Sequence, residues 1–138
     1  MSTPAKRIGM IGAGRMGQPM IGHLARKGFE ISAYDVDPAK QAAVEGKGGR
    51  WQPDLGALAK SSEVILICVG YDRELRDLLA PQGGLRDLAK GSIVAVLSTV
   101  HPKTIEELAH AGAKRGIHVV DATVCRGGKG ADEGTLLC

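Results

Sequence analysis

The stretch Ile8-Gly9-Met10-Ile11-Gly12-Ala13-Gly14-Arg15-Met16-Gly17 decides how the rest of the chain is read. Its first four residues form a short apolar run, as expected of a strand buried on both faces of a parallel sheet. Gly12, Gly14 and Gly17 then fall in the spacing G-x-G-x-x-G. Each glycine answers a different steric demand: the first a tight turn, the second close approach of a pyrophosphate to the backbone, the third close packing of helix on strand. Backbone amides at the positive end of the helix that follows suit a pair of phosphates. In a chain with 20 glycines this spacing also arises by chance, so the flanking residues carry the reading. Met16, Met20, Ile21, Leu24 and Ala25 recur on one helical face, and Gly28 stands where a glycine ends a helix. A second strand, Phe29 to Tyr34, leads to Asp35, about 20 residues beyond the glycines, where an acid binds the hydroxyls of an adenosine ribose.

Onward from Asp35, strand and helix signals alternate. Asp37-Pro38 reads as a cap and first position of a short helix through Glu45, stopped by Gly46, Gly48 and Gly49. Arg50 to Gln52 suits a short edge strand in which Trp51 packs. Asp54 caps a helix carrying Leu55, Leu58 and Ala59. Val64 to Val69 is the strongest buried-strand signal and makes Cys68 a small core residue. Gly70 ends that strand, and Asp72 is placed to cap a helix with Leu75, Leu78 and Leu79 inward. A fifth strand, Ile93 to Leu97, ends in Ser98-Thr99, whose hydroxyls either close the turn or contact a cofactor. Pro102 opens a helix with Ile105, Leu108, Ala109 and Gly112 inward, ended by Gly116. His118 to Val120 forms a sixth strand ending at Asp121, and His23, His101 and His110 read as solvated. The stretch Asp121 to Leu136 is too glycine-rich for a helix or an ordinary strand. Met1 to Ala5 reads as a loose lead-in. The expected fold is therefore α/β, a Rossmann-type doubly wound parallel sheet with right-handed crossovers, in a single domain over residues 1–138.

Composition narrows the function. A net charge of +3 spread over interspersed acids and bases, with aromatics at 3%, is no nucleic-acid signature. No apolar run reaches the roughly 20 residues of a membrane span, and Met1 to Arg7 lacks the apolar core of a secretory signal, so the expectation is a cytoplasmic protein without nucleic-acid or membrane partners. Cys68, Cys125 and Cys138 are odd in number and lack C-x-x-C spacing, which argues for reduced thiols and against a metal site.

The chain resembles the amino-terminal domain of the beta-hydroxyacid dehydrogenase family, which includes 3-hydroxyisobutyrate dehydrogenases and relatives of 6-phosphogluconate dehydrogenase. The blocks that carry the resemblance are Ile8 to Met20, Tyr34-Asp35-Val36-Asp37-Pro38, Ser98-Thr99-Val100-His101-Pro102, and Asp121-Ala122-Thr123-Val124 with Gly130 to Leu136. It implies hydride transfer between a nicotinamide cofactor and a small 3-hydroxy acid or semialdehyde. The cofactor set is then Gly12, Ala13, Gly14, Arg15, Met16, Gly17 and Asp35, with Val69, Gly70, Ser98 and Thr99 at later strand ends. The family's segment Asp-Ala-Pro-Val-Ser-Gly-Gly holds the substrate carboxylate, which puts Cys125, Arg126 and Gly127 at the substrate. Here Thr123 replaces the proline, Cys125 the serine and Arg126 the first glycine. Arg126 either grips a substrate anion with its rigid fork or points into solvent.

In that family a lysine in a later helix serves as general acid or base, and no lysine in this chain matches it. The expectation is a cofactor-binding domain, ending before the family's helical second domain, with no catalytic residue of its own and inactive alone. The full-length parent is expected to be a homo-oligomer, with an exposed interdomain face on this part that favours self-association. Asp35 favours NAD, because a carboxylate repels the 2′-phosphate of NADP; NADP-using relatives look like Asn-Arg at Asp35-Val36, and Lys40 and Arg50 are the cations within reach of such a phosphate. Two other readings stand beside the dehydrogenase: a non-catalytic dinucleotide-binding sensor or interaction module, and an imine reductase on the same scaffold.

Overall fold

The apolar runs that alternate with amphipathic segments assemble into one parallel sheet. The computed structural model describes residues 7–70 and 72–138, so the lead-in read at Met1 to Ala5 lies outside the described residues. In chain order the elements are β1 (Arg7–Ile11), α1 (Gly17–Arg26), β2 (Glu30–Tyr34), a 3-10 turn (Pro38–Lys40), α2 (Gln41–Gly46), β3 (Arg50–Trp51), α3 (Leu55–Lys60), β4 (Val64–Ile67), α4 (Asp72–Leu79), β5 (Ile93–Val96), α5 (Pro102–Ala113), β6 (His118–Asp121) and α6 (Gly127–Glu133). The six strands lie in the order β3-β2-β1-β4-β5-β6, all parallel. The order reverses between β1 and β4, so a crevice opens there at the carboxyl ends of the strands.

Strand alternation divides the core into two layers. Ile8 and Met10 of β1, Ile31 and Ala33 of β2, and Val64 and Leu66 of β4 pack with Ile21 of α1 and Val44 of α2. Ile11, Ile65, Ile67, Val94 and Val96 point the other way, onto Leu58 of α3, Leu75 and Leu79 of α4, and Leu108 of α5. A doubly wound sheet needs apolar residues at both parities of its central strands, which is why β1 and β4 read as continuous apolar runs. Trp51 is half-buried against Tyr34, ring centroids 6.4 Å apart, which makes it a packing residue. This edge of the sheet is poorly covered: Val120 of the outer strand β6 and Ile93 of its neighbour β5 remain exposed.

Local capping follows the expected residues in three places. Asp37 accepts from Ala39 N at the 3-10 turn, Asp54 from Ala57 N at α3, and Gly28 closes α1 with φ +88°. Three expectations are corrected. Asp72 opens α4 itself, and its carboxylate reaches across to α5, accepting from His101 N and from the hydroxyl of the fully buried Thr104. His101 is not merely solvated; its Nδ1 accepts from Lys103 N and caps α5. The stretch after Asp121 does contain a helix, α6, despite its glycines. Each glycine in a helix interior costs about 1 kcal/mol against alanine, so α6 depends on tertiary contacts, described below.

The α4–α5 junction has a pH consequence. The Thr104 hydroxyl, then the His101 amide and Arg76, hold the Asp72 carboxyl below its ordinary value. Arg76 does the same for Glu107, to which its Nε donates at 2.7 Å. A depressed carboxylate stabilises the fold above its unfolded-state pKa and loses that contribution as pH falls through the folded value. Helix content is therefore expected to be flat above about pH 5 and to fall below about pH 4. In Asp72→Asn, acid titration by circular dichroism should show a shallower fall over the same range.

Candidate functional site

The glycine turn takes its shape from the backbone of the neighbouring strand. Gly12 has φ +99°, and a Cβ there would lie 2.3 Å from the carbonyl oxygen of Cys68, just past β4. A Cβ on Gly17 would lie 2.0 Å from the carbonyl oxygen of Gly12, so the helix enters against the strand at a distance that glycine alone permits. Gly14 is different: the nearest atom to an added Cβ is Lys40 Nζ at 3.6 Å, which leaves its backbone open to a ligand. Met16 caps α1 without a side-chain hydrogen bond, and the first turn holds no acidic residue. An uncapped amino terminus above an open glycine is what an anion at a helix start requires.

Asp35 joins the turn to the end of β2. Its Oδ2 accepts from Ala13 N at 2.8 Å, its Oδ1 accepts from Asp37 N at 2.9 Å, and Lys40 Nζ stands 3.7 Å from Oδ2. The side chain is 11% exposed, so it acts as a bracket for the loop as well as a surface acid. Beside it lies a cavity of about 200 Å³ at the reversal of strand order, lined by Ile11, Gly12, Tyr34, Asp35, Val36, Cys68, Val69, Gly70 and Glu74. Ile11, Tyr34, Val36, Cys68 and Glu74 were not foreseen as lining. Tyr34, Val36 and Cys68 sit at strand ends, where the crevice rule could have found them, while Glu74 lies on α4 and carries no such signal. Burial pushes the Cys68 thiol up, so it stays a neutral core thiol.

Arg50 does not reach this edge. It pairs in register with Ser32, two residues short of Tyr34, and lines a hollow at the amino ends of the strands with Arg7 and Glu30. In a parallel sheet the start of an edge strand and the end of its neighbour face opposite ways, so Arg50 leaves the candidate set while Lys40 stays.

With this geometry in place, residues 7–138 match the family profile described as the NAD binding domain of 6-phosphogluconate dehydrogenase. This chain belongs to that family. Among its relatives, 2-(hydroxymethyl)glutarate dehydrogenase of Eubacterium barkeri is 33% identical over 131 residues, 94% of this chain and 44% of that protein. The 3-hydroxyisobutyrate dehydrogenase-like protein 3 of Arabidopsis thaliana is 34% identical over 135 residues, 96% of this chain and 42% of that one. A solved structure of Psf3 in complex with NADP+ and 2-OPP superposes with a TM-score of 0.86 at 31% identity, covering 94% of this chain and 46% of that chain. The chain thus spans a little under half the length of the relatives it matches.

As a member of the 6-phosphogluconate dehydrogenase NAD-binding family, the chain also places its later candidate residues. The two hydroxyls after β5 differ in their surroundings. Ser98 is buried; its Oγ accepts from Val69 N at 3.0 Å and lies 3.4 Å from the carbonyl of Ile67, tying the ends of β4 and β5 together. Thr99 is exposed. Thr123 donates to Asp121 Oδ1 at 2.9 Å and fastens the segment after β6. Cys125, Arg126 and Gly127 are exposed at the start of α6, and Cys125 N donates to Leu137 O at 2.7 Å.

Arg126 has φ +78°, left-handed in a residue that is not glycine. Such a conformation costs an arginine about 1–2 kcal/mol. Arg126→Gly is therefore expected to stabilise the fold by roughly 0.5–1 kcal/mol after allowing for glycine's freer unfolded state. Urea denaturation should show the midpoint rising with an unchanged slope. The guanidinium of Arg15, read as a cofactor residue, is bound to α6: its Nη1 and Nη2 donate to Asp132 Oδ1 and Oδ2 at 2.9 and 2.8 Å. His23 is likewise not a solvated helix residue, with Nε2 2.9 Å from Asp132 O and Nδ1 2.8 Å from Arg26 Nη2.

Proposed function

We propose that this chain binds the dinucleotide of a nicotinamide-dependent oxidoreductase acting on a 3-hydroxy acid or the matching semialdehyde. The observation that carries this is the pairing of the glycine turn with Asp35 at the strand-order reversal. The site fits such a group: a side chain at Gly12 or Gly17 would collide with backbone, Gly14 is open, and a hollow of about 200 Å³ lies beside the acid. The amides of the turn from Gly12 to Gly17 would hold the diphosphate, and Asp35 the adenosine ribose. Val69 and Gly70, which line the same hollow, and Thr99 beyond β5 would contact the rest of the cofactor, and Cys125 to Gly127 would border the substrate. When bound, the nicotinamide supplies the hydride acceptor or donor. The chain's own residues bind and orient it, and proton transfer at the substrate hydroxyl belongs to a lysine outside this stretch. The same reading assigns the longer protein a helical second domain through which it forms a homo-oligomer.

Isothermal titration tests this: NAD should bind the 138-residue chain, and mixtures with 3-hydroxy acids should give no NADH. Turnover would overturn the assignment of the proton-transfer group. Absence of any nucleotide binding would remove the reading altogether. Binding without turnover by the full-length protein, over hydroxy acids and cyclic imines alike, would favour the sensor reading, and turnover of imines alone the imine reductase.

NAD is the cofactor favoured. Two carboxylates, Asp35 and Glu74, line the hollow, and the exposed Val36 offers a 2′-phosphate no donor. Lys40 is the opposing influence, and its pairing with Asp35 offsets part of its charge. NAD is expected to bind about tenfold more tightly than NADP, and Lys40→Ala should widen that ratio. Equal affinities would sink the preference.

A further inference from the structure

The bond between Arg15 and Asp132 joins the glycine turn to a helix more than a hundred positions away. Three other contacts share that seam. The guanidinium of Arg15 lies over Gly128, where an added Cβ would meet Cζ at 2.8 Å. His23, two turns along α1, meets the carbonyl of Asp132 at 2.9 Å. Gly134, with φ +71°, leaves room for the His23 ring, whose Cε1 would be 2.9 Å from a Cβ there. Gly128, one of the glycines that make α6 intrinsically weak, is therefore also what lets Arg15 dock on it, and Gly134 just past the helix end does the same for His23. The Arg15 guanidinium in turn holds the Asp132 carboxyl below the usual carboxylate range.

Arg15 stands between Gly14 and Met16, inside the turn assigned to the diphosphate, so its guanidinium has two anionic partners to choose from. We infer that Asp132 and the dinucleotide diphosphate compete for Arg15. The Arg15–Asp132 pair straps α6 down when no nucleotide is bound, and diphosphate binding draws Arg15 away and frees α6. This rests on the nucleotide-binding reading above. The strap holds the segment that begins at Arg126 and Gly127, so its release couples cofactor entry to rearrangement at the substrate edge. Asp132 is thus a positioning residue, acting through Arg15. It also opposes cofactor binding, because its negative charge lies beside the diphosphate once Arg15 has moved.

The competition has a sign that a purely structural role lacks. Asp132→Asn removes the rival anion, so NAD should bind roughly fivefold more tightly even as α6 loosens. Arg15→Met removes the shared cation and leaves Asp132 unpaired, so NAD should bind at least tenfold more weakly, and the double variant should recover part of that loss. Hydrogen exchange of the amides of Gly130, Gly134 and Thr135, which bond to Arg126, Ala131 and Gly130 carbonyls, should speed up in nucleotide-free Asp132→Asn. Addition of NAD to the wild-type chain should speed up the same amides. Unchanged or weaker NAD binding by Asp132→Asn would overturn the competition, as would NAD slowing the exchange of α6 in the wild-type chain. Unchanged exchange in nucleotide-free Asp132→Asn would overturn the strap. A wild-type chain that binds no NAD would overturn both the binding reading and the competition, leaving the strap to be judged by exchange in the nucleotide-free variants.

Discussion

Gly12→Ala is expected to lower the stability of the fold by about 3 kcal/mol and to abolish nucleotide binding. Two costs combine. A side chain at φ +99° is strained wherever it is placed, and here its Cβ would lie 2.3 Å from the Cys68 carbonyl oxygen. That oxygen belongs to the backbone past β4, next to the Cys68 N–H that bonds to Ile11 O, so it cannot move without breaking strand pairing. Thermal unfolding should fall by about 10 °C. Gly14→Ala is the control. Its Cβ would meet nothing nearer than Lys40 Nζ at 3.6 Å, at the end of a flexible side chain. That variant should melt within about 2 °C of the parent and still bind NAD far more weakly, because the added methyl occupies the approach of the diphosphate. If Gly14→Ala bound NAD normally, the glycine turn would be a steric device of the fold and nothing more.

Removing the Asp35 carboxylate is expected to have the next largest effect. Its oxygens accept from Ala13 N and Asp37 N, with Lys40 alongside. Asp35→Ala leaves a part-buried amide of the glycine turn without its acceptor, at a cost of about 1–3 kcal/mol, and should weaken NAD binding by about 100-fold. Asp35→Asn separates the two tasks. One amide oxygen still serves Ala13 N, so the fold should hold, while the loss of the charged acceptor should weaken NAD about tenfold and NADP less. Titration of both cofactors into both variants reads the result. NAD binding unchanged in Asp35→Asn would reduce Asp35 to a loop bracket.

Most of the architecture was legible because its signals are local and repeated. The apolar runs at Ile8 to Ile11 and Val64 to Ile67, the caps at Asp37 and Asp54, and the glycine after α1 each state their own structure. Strand ends differ from expectation by one or two residues, as at Val69 and Leu97, because the chain stays extended past its last ladder bond. Most of the misreadings share another cause. Asp72, His23 and the glycine-rich stretch after Asp121 have partners distant in the sequence, whereas His101 caps its own helix through Lys103, two residues on. Asp72 resembles a helix cap from its neighbours and reaches instead to Thr104 on another helix. Gly127, Gly128 and Gly130 lower helix propensity locally, yet the smallness of Gly128 admits Arg15 and that of Gly134 admits His23.

The sequence by itself determined a parallel α/β sheet, a glycine turn of dinucleotide type after the first strand, and an acid at the end of the second. These follow from periodicity and from steric needs that only glycine meets, and both are properties of neighbouring residues. Tertiary structure alone decided which groups share the crevice. Register set Arg50 at the far edge of the sheet, and crossing helices gave Arg15 to Asp132. The reason is that charged side chains are long and mobile, so their partners are set by what the folded backbone brings within about 3 Å, a distance along which sequence spacing carries no information.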